Sequence, residues 1–231
     1  MSIERNERWD IQQRIGSGAH GEVFSAIDRD SGEHVALKML RKLDGAALYR
    51  FKKEFRSLAD LDHPNLVALH ELIADADGWF FVMELIDGSD FLTAVRREPH
   101  ERRPLALRLA LQQLARGLET LHAAGKVHRD IKPSNVLITP EGRVVILDFG
   151  LITDTHGDIA TEPSVFGTIG YMAPEQARGE ALEPVADLYA VGTMLYEALT
   201  EHLPFEGSLA DVLHFKPHAD PLPPSRHASS V

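Results

Sequence analysis

Apolar residues in the first third of the chain come in short runs rich in Val, Ile and Phe, a pattern typical of β-strands. One stretch departs from this pattern. In residues 46–61 apolar side chains recur every three to four positions, which predicts a single helix with one buried face. This part of the chain is therefore expected to form a sheet with one helix. The predicted strands are residues 11–15, 21–28, 34–40, 66–74 and 79–85.

After the last of these strands the pattern becomes helical. Residues 104–124 carry leucines at positions 107, 111, 114, 118 and 121, which fall on one stripe of a helix. The glycine that follows, Gly125, is a common helix stop. A second long apolar helix is expected after Pro184. Strands with one helix, followed by a mainly helical half, predict an α+β protein with two lobes.

The two predicted lobes divide the chain near residues 84–88. The first lobe covers residues 9–84 and the second covers residues 85–216. The remaining residues, 217–231, are rich in Pro, His and Ser, and we expect this tail to be poorly ordered. With 231 residues, 44% of them hydrophobic, the chain is long enough to bury a sizeable core in this arrangement.

Composition narrows the chemistry that the chain can perform. A formal charge of −11 argues against binding to nucleic acid or to anionic membranes. No stretch approaches the roughly 18 consecutive apolar residues of a membrane span, and the charged start, MSIERNERWD, does not resemble a signal peptide. We therefore expect a cytoplasmic protein. The lack of cysteine excludes thiolate chemistry, and the twelve histidines show no metal-binding spacing.

A glycine-rich segment, GSGAHG at residues 16–21, lies between two predicted strands. The same GxGxxG spacing occurs in dinucleotide-binding folds, where a helix follows it. Here a strand follows, so we expect a hairpin whose backbone approaches phosphate groups closely. For the glycines taken alone, an ordinary turn is the alternative.

Lys38 stands among apolar neighbours in the predicted strand VALK. A buried ammonium group needs an anionic partner that offsets its loss of hydration. Glu54, on the predicted helix, is the candidate partner. Taken alone, each of these residues would usually be a solvated surface charge, so the pairing depends on the ordered set of motifs around it.

The segment HRDIKPSNVLI begins at His128, and the triplet DFG at residues 148–150 follows it after an apolar strand. Each acid alone could simply cap a loop, but two acids, a Lys and an Asn at these intervals argue against that interpretation. With these residues the chain resembles the eukaryotic-type protein kinase family, and its bacterial Ser/Thr branch in particular. The resemblance extends from about Trp9 to Lys216.

This resemblance implies a two-lobed kinase fold, with a small antiparallel sheet and one helix in the first lobe and a mainly helical second lobe. It also implies ATP and magnesium as cofactors. Asp130 would accept the proton of a substrate hydroxyl, and Lys132 would stabilise the transferring phosphoryl group. Asn135 and Asp148 would hold magnesium, whereas a Lys38–Glu54 pair would bind the α- and β-phosphates. The implied catalytic residues are Lys38, Glu54, Asp130 and Lys132.

A larger set of residues matches the family's nucleotide-binding positions. They belong to the glycine-rich hairpin, to the adenine pocket with its adjoining backbone, and to the phosphate and magnesium sites. By sequence pattern alone, the apolar members are simply core residues, and that alternative stays open. The set comprises Ile15, Gly16, Ser17, Gly18, Ala19, His20, Gly21, Val23, Ala36, Lys38, Met83, Glu84, Ile86, Asn135, Leu137 and Asp148.

Residues 167–175, which include Gly-Thr and the run GYMAPE, match the family's substrate-docking segment and are called the docking segment below. Small-molecule kinases usually lack it, and the Lys of HRDIKPSN is typical of the Ser/Thr branch. The resemblance therefore implies protein substrates with Ser or Thr acceptors. It also implies that Asp187 is a buried acid. Asp187 would anchor the backbone of HRDIKPSN, residues 128–135, which is called the HRD segment below.

Two residues between the DFG triplet and the docking segment are candidate phosphorylation sites, Thr161 and Ser164. A phosphate there could bind Arg129, next to Asp130. Glu162 could partly replace such a phosphate, because it would offer one negative charge to Arg129.

The resemblance fails at the C-terminal end. The family's last helices, which cover the helices equivalent to 104–124 and 184–200 and supply an Arg to Glu175, have no counterpart here. We therefore expect a truncated second lobe with exposed apolar surface, which a partner or a missing segment would cover. Three functions stay open: a Ser/Thr protein kinase that autophosphorylates, a weak or inactive kinase-like regulatory or interaction module, and a small-molecule phosphotransferase.

Overall fold

The computed structural model describes residues 7–18, 21–40, 45–75, 78–148 and 169–227. These residues divide into a first compact unit that ends at Asp87 and a second that begins at Gly88. Within the described ranges, no helix combines the length and apolar character that crossing a membrane requires.

The first unit is an antiparallel five-stranded sheet in the order β1-β2-β3-β5-β4, accompanied by one helix. This confirms the small antiparallel sheet and single helix that the sequence predicts. Helix α1 covers Gly45–Ala59, and its Phe55 ring lies 6.1 Å from the ring of Phe81. The strands are β1 (Trp9–Gly18), β2 (Gly21–Asp28), β3 (His34–Leu40), β4 (Leu69–Asp75) and β5 (Gly78–Glu84).

One apolar cluster forms a core of this sheet. Alternate residues of a strand point to the same face, so the cluster collects side chains from strands that are distant in sequence. It consists of Trp9, Ala26, Val35, Leu37, Phe80 and Val82.

The fourth strand is shorter than predicted. The sequence predicts a strand over residues 66–74, but β4 begins only at Leu69. The preceding residues form a turn in which the Leu66 N–H donates to the His63 carbonyl at 3.0 Å. Leu66, which ends this turn, and Val67, which follows it, are nevertheless buried, so their apolar side chains contribute to the core although they precede the strand.

The second unit combines helices with a three-stranded sheet in the order β6-β7-β8. A helical turn at 169–171 and two 3-10 turns, Pro133–Asn135 and Pro224–Arg226, complete it. The helices are α2 (Phe91–Arg97), α3 (Arg103–Ala123), α4 (Pro174–Ala177), α5 (Pro184–Thr200) and α6 (Leu209–Phe215), and the strands are β6 (Ser89–Asp90), β7 (Val136–Ile138) and β8 (Val144–Ile146).

Helix α3 has the predicted leucine stripe. Of the five leucines in this stripe, four are buried and Leu111 is half-buried. The helix ends at Ala123, and Gly125 follows with φ +71°, a left-handed conformation that glycine adopts readily at this position. Four other apolar side chains on α3 and α5 are about half exposed: Leu105, Leu109, Val185 and Leu188.

Gly21, the first residue of β2, cannot be replaced without distortion. Its φ is +131°, and a Cβ built there would lie 2.0 Å from the carbonyl oxygen of Met39. We expect Gly21→Ala to lower the free energy of unfolding by about 1–3 kcal/mol, because both the backbone conformation and the contact oppose it. Urea unfolding of the purified chain measures the change.

Gly192→Ala is the matched control. Gly192 is exposed within α5, and a Cβ there would meet nothing within 4 Å. This substitution is expected to raise the free energy of unfolding by about 0.5–1 kcal/mol, since alanine is the better helix former. Equal unfolding midpoints for wild type and Gly21→Ala would contradict the argument.

Candidate active site

The HRD segment lies between α3 and β7 and is held against the end of β8. The ring Nε2 of His128 is 2.7 Å from the Leu147 carbonyl, and the Leu147 N–H donates to the Asn135 carbonyl at 2.8 Å. His128 is fully buried. Both ends of the segment are thereby tied to the residue that directly precedes Asp148.

A buried carboxylate fixes the start of this segment. Asp187, in the first turn of α5, is 1% exposed and accepts the backbone N–H groups of His128 and Arg129, each at 2.8 Å. The ring Nε2 of His122 lies 2.7 Å from the same carboxylate. Burying a carboxylate is costly unless hydrogen bonds replace its hydration. The contacts confirm that Asp187 anchors the HRD backbone.

His122 belongs to none of the motifs that mark the site in the sequence. It lies in the last turn of α3, one residue beyond the final leucine of the buried stripe. Its partner, Asp187, is 65 residues away in sequence, so no local spacing marks the pair. In the sequence, His122 is marked only by its position directly after the last leucine of the buried stripe.

Backbone strain is concentrated at the same place. Three non-glycine residues among those described have positive φ, and two of them are Arg129 at 71° and Asp148 at 53°. A left-handed conformation costs a non-glycine residue about 1–2 kcal/mol. Both backbone groups of Arg129 are hydrogen-bonded, because its N–H binds Asp187 and its carbonyl accepts Gln176 Nε2 at 2.8 Å. These bonds hold the strained residue before Asp130.

The Asp130 carboxylate is oriented by two side chains. Its Oδ2 accepts Asn135 Nδ2 and lies close to Lys132 Nζ, each at 2.9 Å, while its backbone N–H donates to His128 Nδ1 at 3.2 Å. The Asp130 side chain is 16% exposed. Its Oδ1 is buried and makes no hydrogen bond with the described residues. One carboxylate oxygen is therefore held in place, while the other keeps its lone pairs.

The orientation of Asn135 follows from its partners. Its Nδ2 donates to the carbonyl of Asp130 at 2.8 Å and to the Asp130 carboxylate, and both partners are acceptors only. Neither bond uses the amide oxygen of Asn135. The predicted magnesium ligands, Asn135 and Asp148, thus offer an amide oxygen and a carboxylate, the oxygen donors that magnesium prefers.

These donors fit a nucleotide-bound ion better than a protein-caged one. Within the described residues, no group of three or more His, Cys, Asp or Glu side chains could hold a metal ion. Magnesium at phosphate-transfer sites is usually bound by one or two protein side chains, with phosphate and water oxygens filling the other positions. Asn135 and Asp148 match that requirement.

In the first unit, Lys38 is 5% exposed on β3, with its Nζ 5.8 Å from the centre of the Phe81 ring. Glu54 lies within α1, but its side chain is outside the described part of the chain. The Lys38–Glu54 pair stays a prediction.

The glycine-rich segment forms the expected hairpin. Strands β1 and β2 pair through Gly16 with Val23 and through Gly18 with Gly21, so a strand rather than a helix follows the glycines. Ser17 pairs with Glu22 between them. Phosphate binding at this hairpin stays a prediction. Two further predicted residues, Ala19 and His20, lie outside the described ranges.

The predicted adenine-contacting residues have varied environments. Ala36 and Met83 are buried neighbours on β3 and β5. The Glu84 N–H donates to the Ala68 carbonyl at 2.9 Å, so this donor is already used within the first unit. Ile15 is about half exposed on β1. The remaining predicted residues, Val23 and Ile86 in the first unit and Leu137 in the second, are half-buried.

The described part of the docking segment is tied to helix α5 by a side chain. The Tyr171 hydroxyl donates to the Glu197 carboxylate, and burial together with this neighbour raises the pKa of Tyr171. Arg96 of α2 lies 3.8 Å from the same carboxylate. Other predictions fall outside the described residues: Phe149, Gly150, Thr161, Glu162, Ser164, Gly167 and Thr168.

Comparison with known proteins gives a consistent picture. A family model described as "Protein kinase domain" matches residues 9–219. The chain is 37% identical to the serine/threonine-protein kinase PknA of Mycobacterium tuberculosis in an alignment of 239 positions that covers 97% of this chain and 54% of PknA. It is 34% identical to PknB of Mycolicibacterium smegmatis over 98% of the chain and 38% of PknB.

A relative from Bacillus shows a similar level of sequence identity. The serine/threonine-protein kinase PrkC of Bacillus subtilis is 35% identical over 88% of this chain and 32% of PrkC. The chain thus spans about half, or less, of the length of these curated relatives.

The Asp187 anchor can be tested by a change of one atom. Asp187→Asn replaces an accepting oxygen by an NH₂ group that cannot accept the N–H of His128 or Arg129. We expect the free energy of unfolding to fall by about 1–3 kcal/mol in urea denaturation, because a buried donor loses its partner. Asp220→Asn, at an exposed position, is the control and is expected to change nothing. Equal midpoints for all three proteins would remove the anchoring role.

Proposed function

The chain belongs to the protein kinase family, and we propose that it transfers the γ-phosphate of ATP to Ser and Thr hydroxyls of proteins. Its relatives PknA, PknB and PrkC are named serine/threonine-protein kinases, which supports this acceptor class. Since the chain spans only part of those relatives, the activity and substrates of the whole protein are part of the proposal.

One observation carries the proposal: the geometry of the Asp130 carboxylate. Asn135 and Lys132 hold one of its oxygens, while the other has no hydrogen-bond partner among the described residues. That oxygen is buried in this structure, so the proposal requires that substrate binding makes it accessible. A fixed carboxylate with an unpaired oxygen can then accept the hydrogen of a substrate hydroxyl and direct that hydroxyl toward phosphorus. Lys132, 2.9 Å from Asp130, brings a positive charge that would stabilise the transferring phosphoryl group.

Bound ATP with magnesium would supply the phosphoryl group and neutralise part of its charge. Asn135 and Asp148 would hold the metal through the amide oxygen and the carboxylate. Lys38 would bind the α- and β-phosphates, and the hairpin at residues 16–21 would approach them through its backbone. Because the Glu84 N–H is bonded to Ala68, Glu84 would contact adenine through its carbonyl oxygen.

The docking segment supports protein rather than small-molecule acceptors. We propose that the reaction takes place in the cytoplasm, which supplies ATP, and that nucleic acid is not a partner, since the formal charge is −11. The half-exposed residues Leu105, Leu109, Val185 and Leu188 form the surface that a partner or a further segment would cover.

Phosphate transfer from radiolabelled ATP with magnesium to the chain itself and to a generic basic protein tests the proposal. Asp130→Asn is expected to lower kcat by roughly 10²–10⁴-fold, because the general base is lost. Lys38→Met should also abolish most transfer, since the phosphates lose a cation. Asp220→Asn, an exposed position, should retain wild-type activity.

The opposite outcome has a definite meaning. A folded wild-type chain that binds ATP but transfers no phosphate would reject the kinase activity and favour the regulatory or interaction module.

Autophosphorylation gives a second test. We propose Thr161 and Ser164 as acceptors, whose phosphates would pair with Arg129. After incubation with ATP and magnesium, mass spectrometry of the wild-type chain should find phosphate on one or both residues, and Asp130→Asn protein should carry none. The Thr161→Ala, Ser164→Ala double variant is expected to show a lower basal rate. Phosphate found only at other positions would contradict this assignment.

A further inference from the structure

A buried lysine follows the last turn of α6. Lys216 is 5% exposed, although lysine is among the residues that proteins bury least often. A buried ammonium needs partners that replace its hydration. In the sequence, Lys216 marks only where the family resemblance ends.

Three backbone carbonyls of the docking segment supply those partners. Lys216 Nζ donates to the carbonyls of Ile169, Gly170 and Met172, each at 2.7 Å. An ammonium group has three N–H donors, so the three bonds use all of them. The Tyr189 ring of α5 lies 5.5 Å from the same nitrogen, within cation–π range.

The three carbonyls lie around one helical turn at residues 169–171. Most carbonyl groups at the end of a helical turn lack backbone partners, and a cation placed there satisfies them. The Met172 N–H also donates to the Ile169 carbonyl, at 3.3 Å. A side chain 44–47 residues away therefore fixes the backbone that leads into α4.

Helix α6 has its own means of support. Ser208 and Asp211 form a capping box at its first turn, with each side chain bonded to the other residue's backbone N–H, and Val212 is buried. These contacts do not involve the Lys216 ammonium. Removing the ammonium should consequently act on the docking segment rather than on the folding of α6.

We propose that Lys216 is a positioning residue that holds residues 169–172 in the conformation that accepts a protein substrate. This inference rests on the proposed kinase function, because it assigns a mechanical role within the docking segment. The hydrogen bonds of the Lys216 ammonium go to the backbone of the docking segment rather than to Asp130 or Asn135. Its loss should weaken binding of the protein acceptor while use of ATP continues.

Steady-state kinetics separate these effects. Lys216→Met keeps the apolar stem and removes the three donors. We expect the KM for a generic basic protein acceptor to rise about tenfold, because three carbonyls lose a charged donor. The KM for ATP and the rate of ATP hydrolysis without acceptor should stay at wild-type values. Lys53→Met, an exposed lysine on α1, is the matched control and should behave as wild type.

Arginine at this position gives an intermediate case. Lys216→Arg keeps the charge, but a planar guanidinium cannot direct three donors from a single nitrogen. The acceptor KM should lie between those of wild type and Lys216→Met. An unchanged acceptor KM in a folded Lys216→Met protein would overturn the positioning role while leaving the kinase function intact.

The wild-type chain offers a test that needs no methionine variant. Burial lowers the pKa of Lys216 to about 8, whereas the carbonyl contacts favour the charged form. Tyr189 faces it from α5 and stays neutral, because burial and the nearby Glu175 raise the pKa of Tyr189 to about 12. Above pH 8 the ammonium loses a proton and one donor, so the acceptor KM should rise between pH 7 and 9.

Lys216→Arg is the control for that profile, since its side chain stays charged throughout. Its acceptor KM should be flat from pH 7 to 9 with the same acceptor protein. A flat wild-type profile, or an equal rise in Lys216→Arg, would count against the role of Lys216.

Hydrogen–deuterium exchange separates failure of the anchor from failure of the kinase function. In Lys216→Met the Met172 amide should exchange about tenfold faster, while the Leu118 amide in the middle of α3 is unchanged. The wild type could transfer no phosphate while the Met172 amide still loses protection in Lys216→Met. That result would reject the kinase function and support the anchor. If Met172 keeps its protection, the anchor itself is refuted.

Discussion

The buried carboxylate of Asp187 is the constraint on which the active-site geometry depends. Asp187 can stay buried only because backbone N–H groups and the His122 ring surround it with hydrogen-bonding groups. The same bonds fix where His128 and Arg129 lie. Asp130 follows directly, so the position of the reactive carboxylate derives from an electrostatic requirement at the start of helix α5.

Two buried charges among the described residues of the second unit act on opposite backbone groups. Asp187 satisfies N–H groups in the HRD segment, and Lys216 satisfies carbonyls in the docking segment. Gln176 joins them, since it follows the docking segment and donates to the Arg129 carbonyl at 2.8 Å. The segment that would receive a substrate and the segment that would react with it are thus linked through a few bonds.

Sequence pattern predicts the parts of this arrangement that depend on local periodicity. It gives β2 and β3 their observed limits, and the leucine stripe of α3 is buried as expected. The predicted start of the fourth strand is wrong, because the buried apolar residues Leu66 and Val67 precede β4. His122 and Lys216 escape the sequence pattern because their partners are distant in sequence and, for Lys216, are backbone atoms that no residue type marks. The pairing of Glu54 with Lys38 stays a prediction, because it depends on where the Glu54 side chain lies.

Because Lys216 binds backbone atoms, the two sides of this contact tolerate substitution unequally. Every residue has a carbonyl, so the oxygens that Lys216 binds do not depend on the side chains at positions 169, 170 and 172. Packing restricts two of these positions, because Ile169 is buried and a Cβ at Gly170 would lie 2.8 Å from the Leu203 side chain. The lysine has no such freedom, because no other side chain carries three donors on one nitrogen. On the receiving side of the contact, variation among related chains is therefore expected mainly at position 172, where the half-buried Met172 can be replaced without loss of the carbonyl that Lys216 binds.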